Sequence, residues 1–367
     1  DAMKPDVQRA VNDARTHCEK IITKTKQSMP VARAFRAAKD ALPRGEDGKP
    51  EETGGLVKNV STRWNSNLAM FRSFIKNKDA VTALLRRARE LELPPLPASL
   101  GNRANFWNIL DGLVKVLTPF EDVTLQVSKE ESSLGECIPY AQTLLRSIEK
   151  LEVPTDDELP VTGLSTFLTV LKEGIQDRLI NDQARTWKIA TFLNPRFKLL
   201  LFNAEDHVSV REAVLREMSD DGTANAGSVG NPPQYTGRKG SLLTTLSDIV
   251  HERIENSGGH TEQQPGRSGV ISKSQEISAY LSEPVLPVRS PDGKANLEEL
   301  GGYWYRHKNL WPSLTRLALS YLSCPPSSVT SERVFSLAGN IVTKKRCALL
   351  PGNIGKLAFI KFNNKKF

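Results

Sequence analysis

Leu310-Trp311-Pro312-Ser313-Leu314-Thr315-Arg316-Leu317-Ala318-Leu319-Ser320-Tyr321-Leu322 runs directly into Ser323-Cys324-Pro325-Pro326-Ser327-Ser328-Val329-Thr330-Ser331-Glu332-Arg333-Val334-Phe335. In the first half, Leu310, Leu314, Leu317, Ala318, Tyr321 and Leu322 return at helical spacing and form one apolar face. Pro312 suits a first helical turn, where its missing N–H costs nothing. Pro325 and Pro326 end the helix. A second helix carries Val334, Phe335, Ala338, Ile341 and Val342, and a closing stretch over 353–362 adds Ile354, Leu357, Ala358 and Ile360.

The same period extends towards the N-terminus. Val7, Val11, Ala14, Cys18, Ile21 and Thr25 alternate spacings of four and three, which predicts a long amphipathic helix. Pro30 ends or kinks it, and a second helical piece covers 31–42. The stretch 43–55 is rich in Pro, Gly and charge and reads as a loop, while 56–60 reads as a short strand. Helical patterns cover 67–93, 105–126, 138–151 and 164–180. Pro119 is expected to kink the second of these or to start a new helix. Trp304, Tyr305 and Trp311 read as an aromatic cluster packed around the C-terminal helices. Between Ser219 and Gly269 the chain is mostly Gly, Asn, Ser and Asp around one helical stretch, 242–254. It reads as a largely disordered linker, too poor in apolar surface to offset its ordering entropy. The sequence thus describes a mainly α chain with no βα alternation.

Composition sets further bounds. The 367 residues are enough for two or three units, and a chain that begins on Asp1 reads as a fragment or a processed chain. No apolar run is long enough to cross a bilayer and no leader pattern opens the chain, so no membrane partner is expected. Cys18, Cys137, Cys324 and Cys347 are widely separated and form no metal-binding spacing with the histidines. Each reads as a small buried hydrophobe, and no metal site and no cofactor are expected.

The net charge of +8 is unevenly distributed. From Arg333 to Phe367 there are eight bases, among them Lys344, Lys345 and Arg346, and no acid. From Arg63 to Glu90 there are seven bases against two acids. Each stretch suits a polyanion such as DNA, or is a solvated helix face.

Three stretches in order resemble the hAT transposases and the BED zinc-finger host proteins related to them. Ser61-Thr62-Arg63-Trp64-Asn65-Ser66 is similar to the family's Thr-Arg-Trp-Asn-Ser box. Ala190-Thr191-Phe192-Leu193-Asn194-Pro195-Arg196-Phe197-Lys198 is similar to its Leu-Asp-Pro-Arg-Phe-Lys box, with Asn194 in place of the usual Asp. Cys324 to Phe335, continuing to Ile341, is similar to its C-terminal dimerisation region. The resemblance implies four segments. Residues 1–55 are a helical remnant of a ribonuclease-H-like core with a loop, 56–218 a helical insertion domain, 219–269 the linker, and 270–367 the dimerisation region. The intact fold would be α/β.

The resemblance also implies site residues. Leu310, Trp311, Leu314, Leu317, Tyr321, Val334 and Phe335 would serve self-association as a homodimer or larger assembly. Their apolar faces suit it, since they exceed what one short hairpin covers by itself. The family's enzymes hold two divalent metals, Mg or Mn, on three acids for in-line phosphoryl transfer. Glu332 matches the third acid, and the other two belong upstream of Asp1, so Glu332 alone holds no such pair. Glu332 equally suits the first turn of a helix, where the helix dipole favours a carboxylate. In the family Trp64 would stack on a base with Arg63 on phosphate; a core Trp that opens the next helix is the other reading. Together these imply a dimerising, nuclear protein derived from a transposase, with weak and largely sequence-independent DNA binding and no catalysis in this chain. The alternative is the C-terminal piece of an active transposase.

Overall fold

The computed structural model describes residues 5–41, 54–60, 64–130, 132–151, 164–219, 241–256, 272–288, 300–341 and 350–363. Among the described residues every regular element is helical. The N-terminal stripe forms α1, Pro5–Gln27, and Pro30 falls in the first turn of α2, Met29–Asp40. The pattern over 67–93 divides into α3, Trp64–Lys76, and α4, Lys78–Arg86. The break is at Asn77, whose Nδ2 donates to the Ser73 carbonyl at 2.8 Å and so competes with the helical backbone. The 56–60 stretch is not a strand. Two of its N–H groups go to side chains, Val57 to Ser73 Oγ at 3.0 Å and Val60 to Ser66 Oγ at 2.8 Å.

Asn102 caps α5, Arg103–Val127, by accepting from the Asn105 N–H at 2.9 Å. The helix runs through Pro119 without a break. Next come α6, Cys137–Glu149, and α7, Leu164–Ile175, which loosens into a π turn at Gln176–Asn181. The rest of the chain contributes α8, Arg185–Leu193; α9, Ala204–Ser219; α10, Ser241–Asn256; α11, Lys273–Ser282; α12, Leu300–His307; α13, Pro312–Leu322; α14, Val329–Ile341; and α15, Pro351–Asn363.

Two compact units result, 1–121 with 145–177 and 122–144 with 178–367. Their limits cut across the four segments read from the sequence. Most of the linker segment, 220–240 and 257–269, lies outside the described residues, as does 42–53 of the earlier loop. Its middle is α10, which buries Leu246, Ile249 and Val250 in the core of the second unit. That i, i+3, i+4 triplet is a helix face of its own.

In the first unit, α1 contributes Ala14, Cys18, Ile21 and Ile22 to a core that includes Phe35 of α2, Phe74 of α3, Leu84 of α4 and Phe106 of α5. His17 lies within this core, 1% exposed, with its ring edge-on to Phe106 at 5.3 Å. Neither ring nitrogen meets a hydrogen-bond partner among the described residues. Burial, with Lys20 nearby, lowers its pKa from 6.5 to about 4.

The second unit is organised around the end of α8. Pro195 stops that helix and leaves its last carbonyls without intrahelical donors. Tyr280 Oη donates to the Phe192 carbonyl at 2.9 Å, and Trp304 Nε1 to the Leu193 carbonyl at 3.1 Å. Asn194 Oδ1 accepts from the Arg196 N–H at 3.1 Å, so the Asn that replaces the usual Asp still closes the turn. Lys198 is buried in a left-handed conformation, φ 47°. Its Nζ donates to the carbonyls of Tyr280 at 2.5 Å and Glu283 at 2.6 Å, and lies 4.5 Å from the Tyr280 ring centroid. Burial lowers its pKa to about 8 against the pull of Glu283. The buried Glu276 accepts from the Leu314 N–H at 2.8 Å and so caps α13. Of the aromatic trio, Trp304 and Trp311 are core, whereas Tyr305 is 63% exposed beneath Lys308. Cys18 is buried, Cys137 half-buried and Cys324 exposed, so burial does not describe all the thiols; Cys347 lies outside the described residues.

Two outcomes follow from the buried polar groups. The folded state holds His17 neutral until about pH 4, whereas an unfolded chain protonates it below pH 6.5. Stability is therefore full above pH 6.5 and falls as pH drops from 6.5 towards 4, by at most ~3 kcal/mol. Melting temperatures of wild type and His17→Leu across this window should diverge, with the variant flatter; parallel curves would refute the assignment. Lys198→Met keeps the bulk of the side chain but strands the buried Tyr280 carbonyl and the partly buried Glu283 carbonyl, and should cost about 1–3 kcal/mol in chemical denaturation. No change would mean the lysine only fills space.

Candidate self-association surface

α13 positions its apolar face inwards. Leu314 is fully enclosed, Trp311 is 4% exposed, and Leu317 and Tyr321 pack partly buried against the same core. Glu276 fixes the start of this helix, and the turn that follows Leu322 leads into α14. Four of the seven residues assigned to self-association are therefore directed to the unit's own interior. Of the others, Leu310 is 54% exposed, Val334 half-buried and Phe335 75% exposed.

α14 and α15 pack against each other. They place Ile341 and Ala358 in buried positions while much of their apolar surface faces outwards. Phe359 is 69% exposed, and Leu350, Leu357 and Ile360 are exposed with it. This second set lies outside the seven residues chosen from the sequence. The signal was present in Leu357-Ala358-Phe359-Ile360: four consecutive apolar residues on a helix cannot all face one neighbour at 100° per residue. Lys356 and Lys361 flank the run and provide a charged rim.

Glu332 is exposed in the first turn of α14 and accepts from Ser328 Oγ at 2.8 Å. Phe335 is one turn further along the same helix. Among the described residues no group of three or more His, Cys, Asp or Glu side chains is placed to hold a metal ion. Trp64 opens α3, but its side chain, with Arg63, Lys344, Lys345 and Arg346, lies outside the described residues. No helix among the described residues is long and apolar enough to cross a membrane.

Residues 276–364 match the family model for the hAT family C-terminal dimerisation region. The match starts at Glu276, the residue that caps α13, and spans α12 to α15. The chain is 25% identical over 367 residues to the human Zinc finger BED domain-containing protein 4, covering 97% of this chain and 27% of that protein. It is 25% identical over 333 residues to Zinc finger BED domain-containing protein 6 of Mus musculus, covering 86% of this chain and 31% of the relative. A Putative AC transposase of Zea mays is 22% identical over 313 residues, 81% of this chain and 35% of that protein. The chain spans about a third or less of the length of these relatives. The exposed α14–α15 surface thus lies in the part of the chain, 276–364, that matches the hAT family C-terminal dimerisation region.

Proposed function

We propose that this chain is the self-association module of a transposase-derived, DNA-associated nuclear protein, and that it does not cut DNA by itself. The observation that supports the reading most directly is the outward apolar surface of α14 and α15: Phe335, Leu357, Phe359 and Ile360. Patches of this kind on a soluble surface mark interaction sites, and a two-fold arrangement lets one patch cover its own copy. Trp311 and Leu314 then act by holding the helices in place rather than by touching a partner. Lys356 and Lys361 at the rim would face like charges across a two-fold contact. Added salt should screen that repulsion and strengthen the apolar association.

Sedimentation of the whole chain at micromolar concentration should give a dimer or larger species. Phe335→Ser with Phe359→Ser should shift it to monomer while leaving the core of the second unit folded, because both side chains are mostly exposed. Leu314→Asp should instead unfold the second unit by burying an unpaired charge. A wild-type monomer at these concentrations, or a double variant of unchanged size, would overturn the proposal.

The second reading, a piece of an active DNA transposase, is favoured by the likeness to the Zea mays protein. In that case Glu332 would join acids from elsewhere to hold Mg or Mn for strand cleavage and transfer. Supercoiled plasmid incubated with the chain and either metal should stay intact. Nicking that Glu332→Gln abolishes would establish catalysis in this chain.

A further inference from the structure

Besides the two basic stretches described above, a third lies within α1 and α2. Lys20, Lys24, Lys26, Arg33, Arg36 and Lys39 follow one another with no acid between Glu19 and Asp40. None of the six is ion-paired among the described residues. Charge of one sign along 20 residues is ordinary on a solvated helix face. What distinguishes this case is how the two helices arrange part of it.

α1 presents Ile22, Thr25 and Lys26 on one face, spaced i, i+3, i+4. α2 presents Ala32, Phe35, Arg36 and Lys39, spaced i, i+3, i+4, i+7. These faces meet at a cleft of about 340 Å³, walled on its open side by residues 54–56. Lys39 donates to the Gly54 carbonyl and so holds the wall. Leu56 and the accessible edge of Phe35 give the cleft an apolar lining over the buried Ile22, and Lys26 and Arg36 also line it, with no ion-pair partner among the described residues.

We propose that this cleft binds a single strand of DNA, with phosphates on Lys26 and Arg36 and one unstacked nucleoside against the apolar lining. The inference rests on the DNA association proposed above and assigns it a site on α1 and α2. Two cations beside an apolar concavity match the alternation of phosphate and base along one strand, the pairing that single-strand binding grooves use. A duplex keeps its bases stacked inside and can offer only phosphates, so it would leave the apolar lining uncovered. An acidic peptide would satisfy the charges but carries no flat group at a fixed interval from them.

Fluorescence anisotropy of the whole chain tests this with a labelled strand and its duplex over a salt series. The strand should bind more tightly than the duplex. Lys26→Ala with Arg36→Ala should lower the slope of log affinity against log salt by about 1.4, two contacts at ~0.7 each for single strands. Lys24→Ala with Arg33→Ala removes the same charge from outside the cleft lining and should change the slope far less. An unchanged melting temperature in both pairs would show that folding is intact. Equal losses from the two pairs, or no loss from either, would overturn the cleft in favour of a diffuse field. So would binding of polyglutamate as tight as that of the strand. Loss only on changing Lys344, Lys345 and Arg346 to Ala would overturn the cleft and leave DNA association standing. No binding of strand or duplex at about 0.1 M salt would overturn both.

Discussion

The end of α8 is the constraint on which the second unit depends. Pro195 forbids another helical turn, and the carbonyls of Phe192 and Leu193 are then buried without backbone donors. Such groups cost one to several kcal/mol each if left unmet. Tyr280 and Trp304 meet them, and both rings are among the largest fully buried side chains of the chain. Their placement in turn fixes α11 and α12, and Glu276 of α11 fixes α13. The Leu286 N–H closes the loop by donating to the Pro195 carbonyl at 3.0 Å. The segment that matches the family model therefore does not begin as a separate folding unit at residue 276. Its first helices are completed by residues 192–198 and by the apolar faces of α9 and α10.

This arrangement separates two kinds of apolar residue within one homologous segment. The buried ones on α11 to α13, such as Tyr280, Trp304 and Leu314, satisfy and cover the α8 terminus and are interior whatever the state of assembly. Those on α14 and α15 lie beyond the lock, and among their described side chains only Ile341 and Ala358 belong to the buried hydrophobic set. A short helix pair with so little buried is marginal alone, since helices of this length gain most of their stability from packing. A second copy that covers Phe335 and Phe359 would stabilise the pair by mass action and link the order of α14–α15 to protein concentration.

The sequence made the helices legible because their periodicity is strong. α1, α5, α13 and α14 all appear within a few residues of the expected spans. It misread 56–60, where apolar residues at a loop edge imitate a strand, and it ran α3 and α4 together because Asn77 is no obvious breaker. The helical stretch 242–254 was legible, but the polar tracts on either side hid that Leu246, Ile249 and Val250 join the core of the second unit. For the candidate site, periodicity identifies an apolar face but not what covers it. The α13 face has the clearest pattern in the chain, and that pattern arises because it is buried within its own unit. Glu332 and Asn194 were legible in local role, as a first-turn acid and as the side-chain acceptor of a turn. The cations of α1 and α2 escaped notice since Lys and Arg on amphipathic helices are the normal solvated face. Only their convergence on an apolar concavity singles out Lys26 and Arg36.

Self-association and strand binding would reinforce each other through geometry rather than through contact. A dimer built on the α14–α15 surface carries two α1–α2 clefts. Once one cleft is engaged, the second would meet the same strand within one assembly rather than from the bulk solution. A cleft with two phosphate contacts is weak alone, and its salt dependence is correspondingly shallow. Two clefts in one assembly double the phosphate contacts, so the salt slope of the dimer should be about twice that of a monomer. On this proposal salt would act in opposite directions on the two steps: it would screen Lys356 and Lys361 and favour the dimer, while it would compete at Lys26 and Arg36 and disfavour the strand. Binding that depends on both is strongest at intermediate salt. A maximum of that kind is something neither a purely apolar dimer nor a purely electrostatic polycation produces.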